Sequence, residues 1–291
     1  MLSILLLVAV SLVVVAARPD VSLRVATVGP SQGHSTVVIP AHAVEVAPGV
    51  FSLGTAVDNG RVVEGYAFLR FKDRPAKPGT ECGNGVCEPG ENAKKCPADC
   101  SGGTTKSSCF SHLSKGAKWK SVEPYVVNPS NGKGLSASFV TSNLAGDIDK
   151  WEDAAGLDIL GGGSSTNDIL VADTVSPGGQ NEVYFADVGS SGAIAITIFW
   201  GIFRGPPTGR ELVEWDQVYD DVDFNWSDSG SPDAMDFENI ATHELGHSFG
   251  MDDLDRDECS EETMFGFASN GETKKQSLES GDIQGIQALY G

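Results

Sequence analysis

A chain of 291 residues, 40% hydrophobic and with 35 glycines, has room for one sizeable domain plus smaller appendages and suits a loop-rich globular protein. Its 40 acidic residues outnumber its 20 basic ones and leave a net charge of −20, which excludes nucleic acid as a partner, because such binding rests on neutralising phosphates with basic groups. The same acidity fits a solvated exported protein, bound calcium or a salty habitat, and does not choose among them.

In chain order, residues 1–17 carry no charge and are almost wholly apolar, with Ala16 and Ala17 just before Arg18, the pattern of a secretory signal peptide. The segment is short for a membrane span, although its start lacks a lysine or arginine, so retention as a membrane anchor is the alternative. Residues 18–77 read as a small β-rich unit. Its strands are Ser35–Ile39, Val50–Leu53 and Gly65–Phe71, with a turn at Asp58-Asn59-Gly60. The position suggests a propeptide, and a substrate-binding or surface-attachment module competes with that reading. Residues 72–80, with Pro75 and Pro78, look like a linker.

Residues 78–105 hold Cys82, Cys87, Cys96 and Cys100, too close together and with too few apolar neighbours to build a core, so disulfides must order this knot. A zinc knuckle is the alternative, disfavoured by an oxidising compartment. Cys109 and Cys259 remain, and their pairing would tie the start of the last region to the loop that follows Asp253.

Residues 106–291 form the largest region. Val140, Leu144, Ile148, Trp151 and Ala155 recur at helical spacing and mark a long helix with one apolar face. Residues 168–172, 182–188 and 193–203 read as strands, the last closed by Gly205-Pro206-Pro207. Asp216, Asp220, Asp221, Asp223, Asp228, Asp233 and Asp236 read as an acid-rich loop system that either holds calcium or is a solvated face. A helix then starts at Asp236 as N-cap and stops at Gly250.

That helix carries His243-Glu244-Leu245-Gly246-His247, followed by Gly250 and then Asp252, Asp253 and Asp255. Histidines four apart project from one helical face and reach a single ion. Glu244 lies beside that ion without needing to bind it, where it can accept a proton from a water the ion holds. Gly250 can take positive φ, end the helix and swing an aspartate back toward the metal. Two histidines and one carboxylate leave a fourth position open, as a catalytic zinc requires.

The pattern HExxHxxGxxD with Met264 eleven residues further resembles the metzincin clan of zinc proteases, and within it the matrixins. The likeness runs from about Phe110 to Gly291 and includes the ending Leu278 to Gly291. It implies an α+β fold in which a twisted mixed sheet packs with long helices, a zinc helix and a Met-turn. It also implies that Asp253, three residues after the glycine, is the third ligand beside His243 and His247, that Glu244 is the general base, and that Met264 underlies the ligands without binding metal. Matrixins usually have histidine where Asp253 stands, and the aspartate form is similar to the snapalysin family. An anionic ligand makes the zinc less electrophilic. Phe265 stands where a tyrosine often follows the methionine.

Many matrixins hold a second zinc with three histidines. Only His112, read as a surface or loop residue, is spare in this region, so the expectation is one catalytic zinc. A matrixin propeptide blocks zinc with a free cysteine, and residues 18–77 contain none. The resulting expectation is a secreted, monomeric, extracellular zinc endopeptidase acting on protein or peptide substrates. The other reading is a secreted or surface binding protein with an inactive protease-like domain, against which the intact Glu244 speaks.

Overall fold

The computed structural model describes residues 36–72, 109–190 and 192–291. The expected signal peptide and cysteine knot lie outside the described residues. Among the described residues, nine strands form one sheet: β1 (Val44–Ala47), β2 (Val50–Asp58), β3 (Arg61–Lys72), β4 (Tyr125–Val127), β5 (Gly163–Ser165), β6 (Asn181–Ala186), β7 (Ala193–Ile202), β8 (Glu211–Asp220) and β11 (Phe267–Ala268). Their order is β1-β2-β3-β7-β8-β6-β4-β5, with β11 alongside β3. β4, β5, β6 and β8 run parallel, and β7 is antiparallel to both β8 and β3. Two short strands, β9 (Trp226–Ser227) and β10 (Met235–Asp236), pair apart from it. With helices α1 (Ala137–Ala155), α2 (Phe237–Ser248) and α3 (Ser280–Tyr290), the fold is α+β and consistent with a matrixin-like catalytic domain.

The helices form for local reasons. Ser136 caps α1 by accepting from the Phe139 amide at 3.2 Å, and Gly156 ends it at φ 70°. Val140, Leu144, Ile148 and Trp151 face the core, as their spacing predicts. Asp236 caps α2, accepting from the Asn239 amide at 2.9 Å. The Trp151 indole donates to the Thr242 carbonyl at 2.9 Å and so pins α1 to α2. At the other end of α2, Trp119 donates to the Ser248 carbonyl at 2.7 Å and the Tyr290 hydroxyl to the Phe249 carbonyl at 2.9 Å. Both satisfy carbonyls that a helix end leaves without partners.

Several expectations are corrected. Of the expected β unit of residues 18–77 only residues 36–72 are described, and there β3 pairs with β7 from Glu64↔Gly201 to Phe71↔Ala193, so the hairpin extends the sheet of the C-terminal region. Its turn is as expected, with Asn59 at φ 46° and Gly60 at φ 78°, whereas residues 36–40 are not a strand and β1 lies further on. Residues 168–172 are irregular, because side chains rather than a neighbouring strand take up the backbone there. Glu182 accepts from the Val171 amide at 3.0 Å and Asp216 from the Asp173 amide at 2.8 Å, while the Ala172 amide donates to the Tyr184 hydroxyl at 2.8 Å.

Those bonds also explain why Asp216 and Asp220 are not loop residues. Both lie on β8 and are buried, with Asp220 accepting from the Val188 amide at 3.0 Å. The acids of β8 anchor adjacent loops, a role that resembles loop chemistry in sequence.

The Cys109–Cys259 disulfide is present, and among the described residues no cysteine is free. His112 is half-buried in a loop, where its Nε2 lies 2.9 Å from the Gly285 carbonyl and so ties that loop to α3. Among the described residues, no helix is long and apolar enough to cross a membrane.

Candidate metal centre

α2 places His243 and His247 one turn apart, their ring centroids 4.9 Å from each other. Each ring is oriented from behind. Nδ1 of His243 lies 2.7 Å from the Thr263 carbonyl and Nδ1 of His247 lies 3.0 Å from the Met251 carbonyl. A carbonyl can only accept, so each Nδ1 carries the proton and each Nε2 keeps its lone pair. Gly250, at φ 100°, turns the chain after the helix, and a Cβ there would press on the Ala117 carbonyl at 3.0 Å. The turn brings Asp253 back, its Oδ1 3.2 Å from Nε2 of His243 and 3.7 Å from Nε2 of His247.

These three atoms fit a zinc ion. Bonds of about 2.0–2.2 Å in tetrahedral geometry hold neighbouring ligand atoms roughly 3.3–3.6 Å apart, and the ligand atoms here lie within 4.8 Å of one another. Asp253 Oδ1 is enclosed without a hydrogen-bond donor, the Arg70 guanidinium at 3.7 Å being beyond bonding reach, so a directly bound cation would complete it. Burial and then Arg70 hold the His243 imidazole down to about 3, so it stays neutral. Burial alone pushes the Asp253 carboxyl up, yet His247, His243 and Arg70 bring it below the usual carboxylate range. Asp252 faces elsewhere. It accepts from the Ser111 hydroxyl at 3.2 Å and from the Asp253 amide at 3.0 Å, and burial followed by Asp253 raises it to about 6.

Glu244 follows His243 on α2 and is buried. Its Oε2 accepts from the Thr197 hydroxyl of β7 at 2.7 Å, while Oε1 is buried without a partner. Burial raises its pKa, opposed by His247, Arg70 and the Thr197 bond. Below α2, Met264 is fully buried. A Cβ on Gly246 would lie 2.2 Å from Met264 Sδ and 2.8 Å from the Trp151 ring, so the helix touches its floor only because this residue has no side chain. Gly246→Ala is therefore expected to cost about 1–3 kcal/mol by overpacking. A thermal melt checks this, and an unchanged midpoint would mean that Met264 is not packed against the helix.

Sequence reasoning missed four contributors. Thr197 orients Glu244, and its signal was only a threonine in an apolar strand. Asp282 is fully buried and accepts from the Thr263 amide at 2.8 Å and the Met264 amide at 3.1 Å, holding the turn beneath the histidines. Gly246 is the third. The fourth is Arg70 on β3, buried, whose Nη1 lies 3.0 Å from His243 Nε2 and 3.7 Å from Asp253 Oδ1.

The second acidic group among the described residues is Asp173, Glu214 and Asp216. Its carboxylates are engaged by backbone amides: Glu214 accepts from Gly178 at 2.9 Å and also from Gly179, and Asp216 from Asp173 and Glu182 at 2.8 and 3.1 Å.

Residues 206–291 match the matrixin family model. That span takes in β8, α2, the Met264 turn and α3. Over 175 residues, 57% of this chain, the sequence is 29% identical to Metalloendoproteinase 2-MMP of Arabidopsis thaliana and covers 40% of that protein. It is also 41% identical over 71 residues, 24% of this chain, to Matrilysin of Homo sapiens, covering 25% of it. The chain thus spans less than half the length of either relative. These likenesses support a metzincin-type metalloprotease.

Proposed function

We propose that this chain is an exported zinc endopeptidase in which His243, His247 and Asp253 hold one zinc ion and Glu244 is the general base. The observation that carries the reading is the convergence of two Nε2 atoms, each with its proton held at Nδ1, and the donorless Asp253 Oδ1, at the helix that also carries the buried Glu244 with its unpartnered Oε1. Two imidazoles and a carboxylate suit zinc, and aspartate in the third place makes the set similar to the snapalysin variant. A zinc ion bound there would polarise the peptide carbonyl and acidify a water.

The protein supplies the rest. Glu244, enclosed and oriented by Thr197, takes the proton from water and returns it to the leaving amine. An extended substrate pairing antiparallel on β7 would take the side that β3 occupies, and extended main-chain pairing is how a protease holds an unfolded substrate. Export is supported by the apolar first 17 residues and by the Cys109–Cys259 disulfide, which persists in oxidising compartments.

The test is metal analysis after dialysis, paired with casein cleavage. The intact chain is expected to retain one zinc, to lose it on Asp253→Ala but not on Asp252→Ala or Asp255→Ala, and to cleave casein only in the absence of a chelator. Zinc retained by Asp253→Ala, or cleavage indifferent to the chelator, would reject the assignment.

A further inference from the structure

β3 lies along the side of β7 to which the proposed function assigns the substrate. It runs antiparallel along β7, through Phe68↔Thr197 and Arg70↔Ala195, and its end pairs parallel with β11, which follows the Met264 turn, through Phe71↔Phe267. The strand therefore bridges the two sides of the metal centre. Phe68 packs its ring edge-on against His247 at 4.9 Å. Arg70 reaches the ligands themselves. Its Nη2 donates to the Phe265 carbonyl at 2.8 Å and its Nη1 donates to His243 Nε2 at 3.0 Å.

The second of these bonds is decisive. An imidazole has one lone pair available when its other nitrogen carries the proton, and the proton of His243 is committed at Nδ1 to Thr263. Nε2 can accept the Arg70 N–H or bind a metal, and not both. The guanidinium also stands beside the carboxylate of Asp253, supplying the positive charge that the ligand set demands.

We propose that β3 is an internal lock, in which Arg70 occupies His243 in competition with zinc while the strand backbone occupies the β7 edge in competition with substrate. The proposal rests on the zinc reading given above. Loading the ion requires Arg70 to withdraw, and opening the cleft requires β3 to leave β7. Apparent zinc affinity is then the intrinsic affinity reduced by the fraction of molecules in which Arg70 has moved away. An unlocked variant is expected to gain about tenfold or more, since a fixed cation a few ångströms from the site also repels the ion.

The experiment titrates zinc into the metal-free full chain against a chromogenic chelator, for the parent, Arg70→Ala, the exposed control Val62→Ser on the same strand, and His243→Ala. Folding of each is checked by near-ultraviolet circular dichroism. Arg70→Ala is expected to bind zinc at least about tenfold more tightly than the parent, Val62→Ser to match the parent, and His243→Ala to bind far more weakly. In parallel, hydrogen exchange of the β3 amides in the parent is expected to speed up when zinc is added. That readout decides the matter even if Arg70→Ala does not fold. Equal affinities for folded parent and Arg70→Ala, or β3 exchange unmoved by bound zinc, overturn the lock while leaving the metal centre standing. Undiminished zinc binding by His243→Ala overturns the metal centre instead.

Discussion

Glu244→Gln is expected to abolish peptide hydrolysis while leaving zinc bound, with kcat down by roughly 10²–10⁴-fold relative to the parent. The amide is isosteric with the carboxylate and can still meet the Thr197 hydroxyl, so the helix, both histidines and Asp253 keep their places. What disappears is a group able to accept a proton. Glu244 is not assigned as a ligand, and among the described residues its Oε1 is the one buried side-chain acceptor on α2 without a partner. The measurement pairs kcat with metal content. Loss of both would make Glu244 a ligand or a structural residue, and retention of turnover would move the base elsewhere.

Replacing both Cys109 and Cys259 with serine is expected to cost about 2–5 kcal/mol of stability. The bond closes a loop across a sequence separation of 150, for which chain entropy alone predicts a value near the upper end, about 5 kcal/mol. For a chain of this size that corresponds to a fall in Tm of roughly 5–15 °C. The effect extends to the site. Cys259 is buried between Asp253 and Met264, and Cys109 precedes the segment in which Ser111 and His112 bond to Asp252 and Gly285. Losing the tether frees the loop that carries Asp253, the proposed third ligand. Zinc affinity should therefore fall along with the melting temperature, and a variant that melts early yet binds zinc like the parent would confine the disulfide to stability.

Much of the centre was legible because its decisive geometry is local. A spacing of four puts His243 and His247 on one helical face whatever surrounds them, and Asp236 and Gly250 mark where that helix begins and ends. The apolar stripe of α1 and the Asn59-Gly60 turn were readable for the same reason: each depends on residues within a few positions of one another.

The parts not readable are long-range. Asp252, Asp253 and Asp255 are equivalent to any local rule, and the fold brings Asp253 to the histidines by sending the Asp252 side chain toward Ser111. Acids on β8 read as loop residues in the sequence because their partners, the amides of residues such as Asp173 and Glu182, come from distant segments.

By itself, then, the sequence determined a helix that can offer two imidazoles and a base to one ion, because helical periodicity converts spacing directly into direction. Only the tertiary structure decided what those groups meet. Thr197 reaches Glu244 across 47 positions and Arg70 reaches His243 across 173. Contacts at such separations are selected by the packing of the whole sheet and leave no periodic trace in the residues that make them.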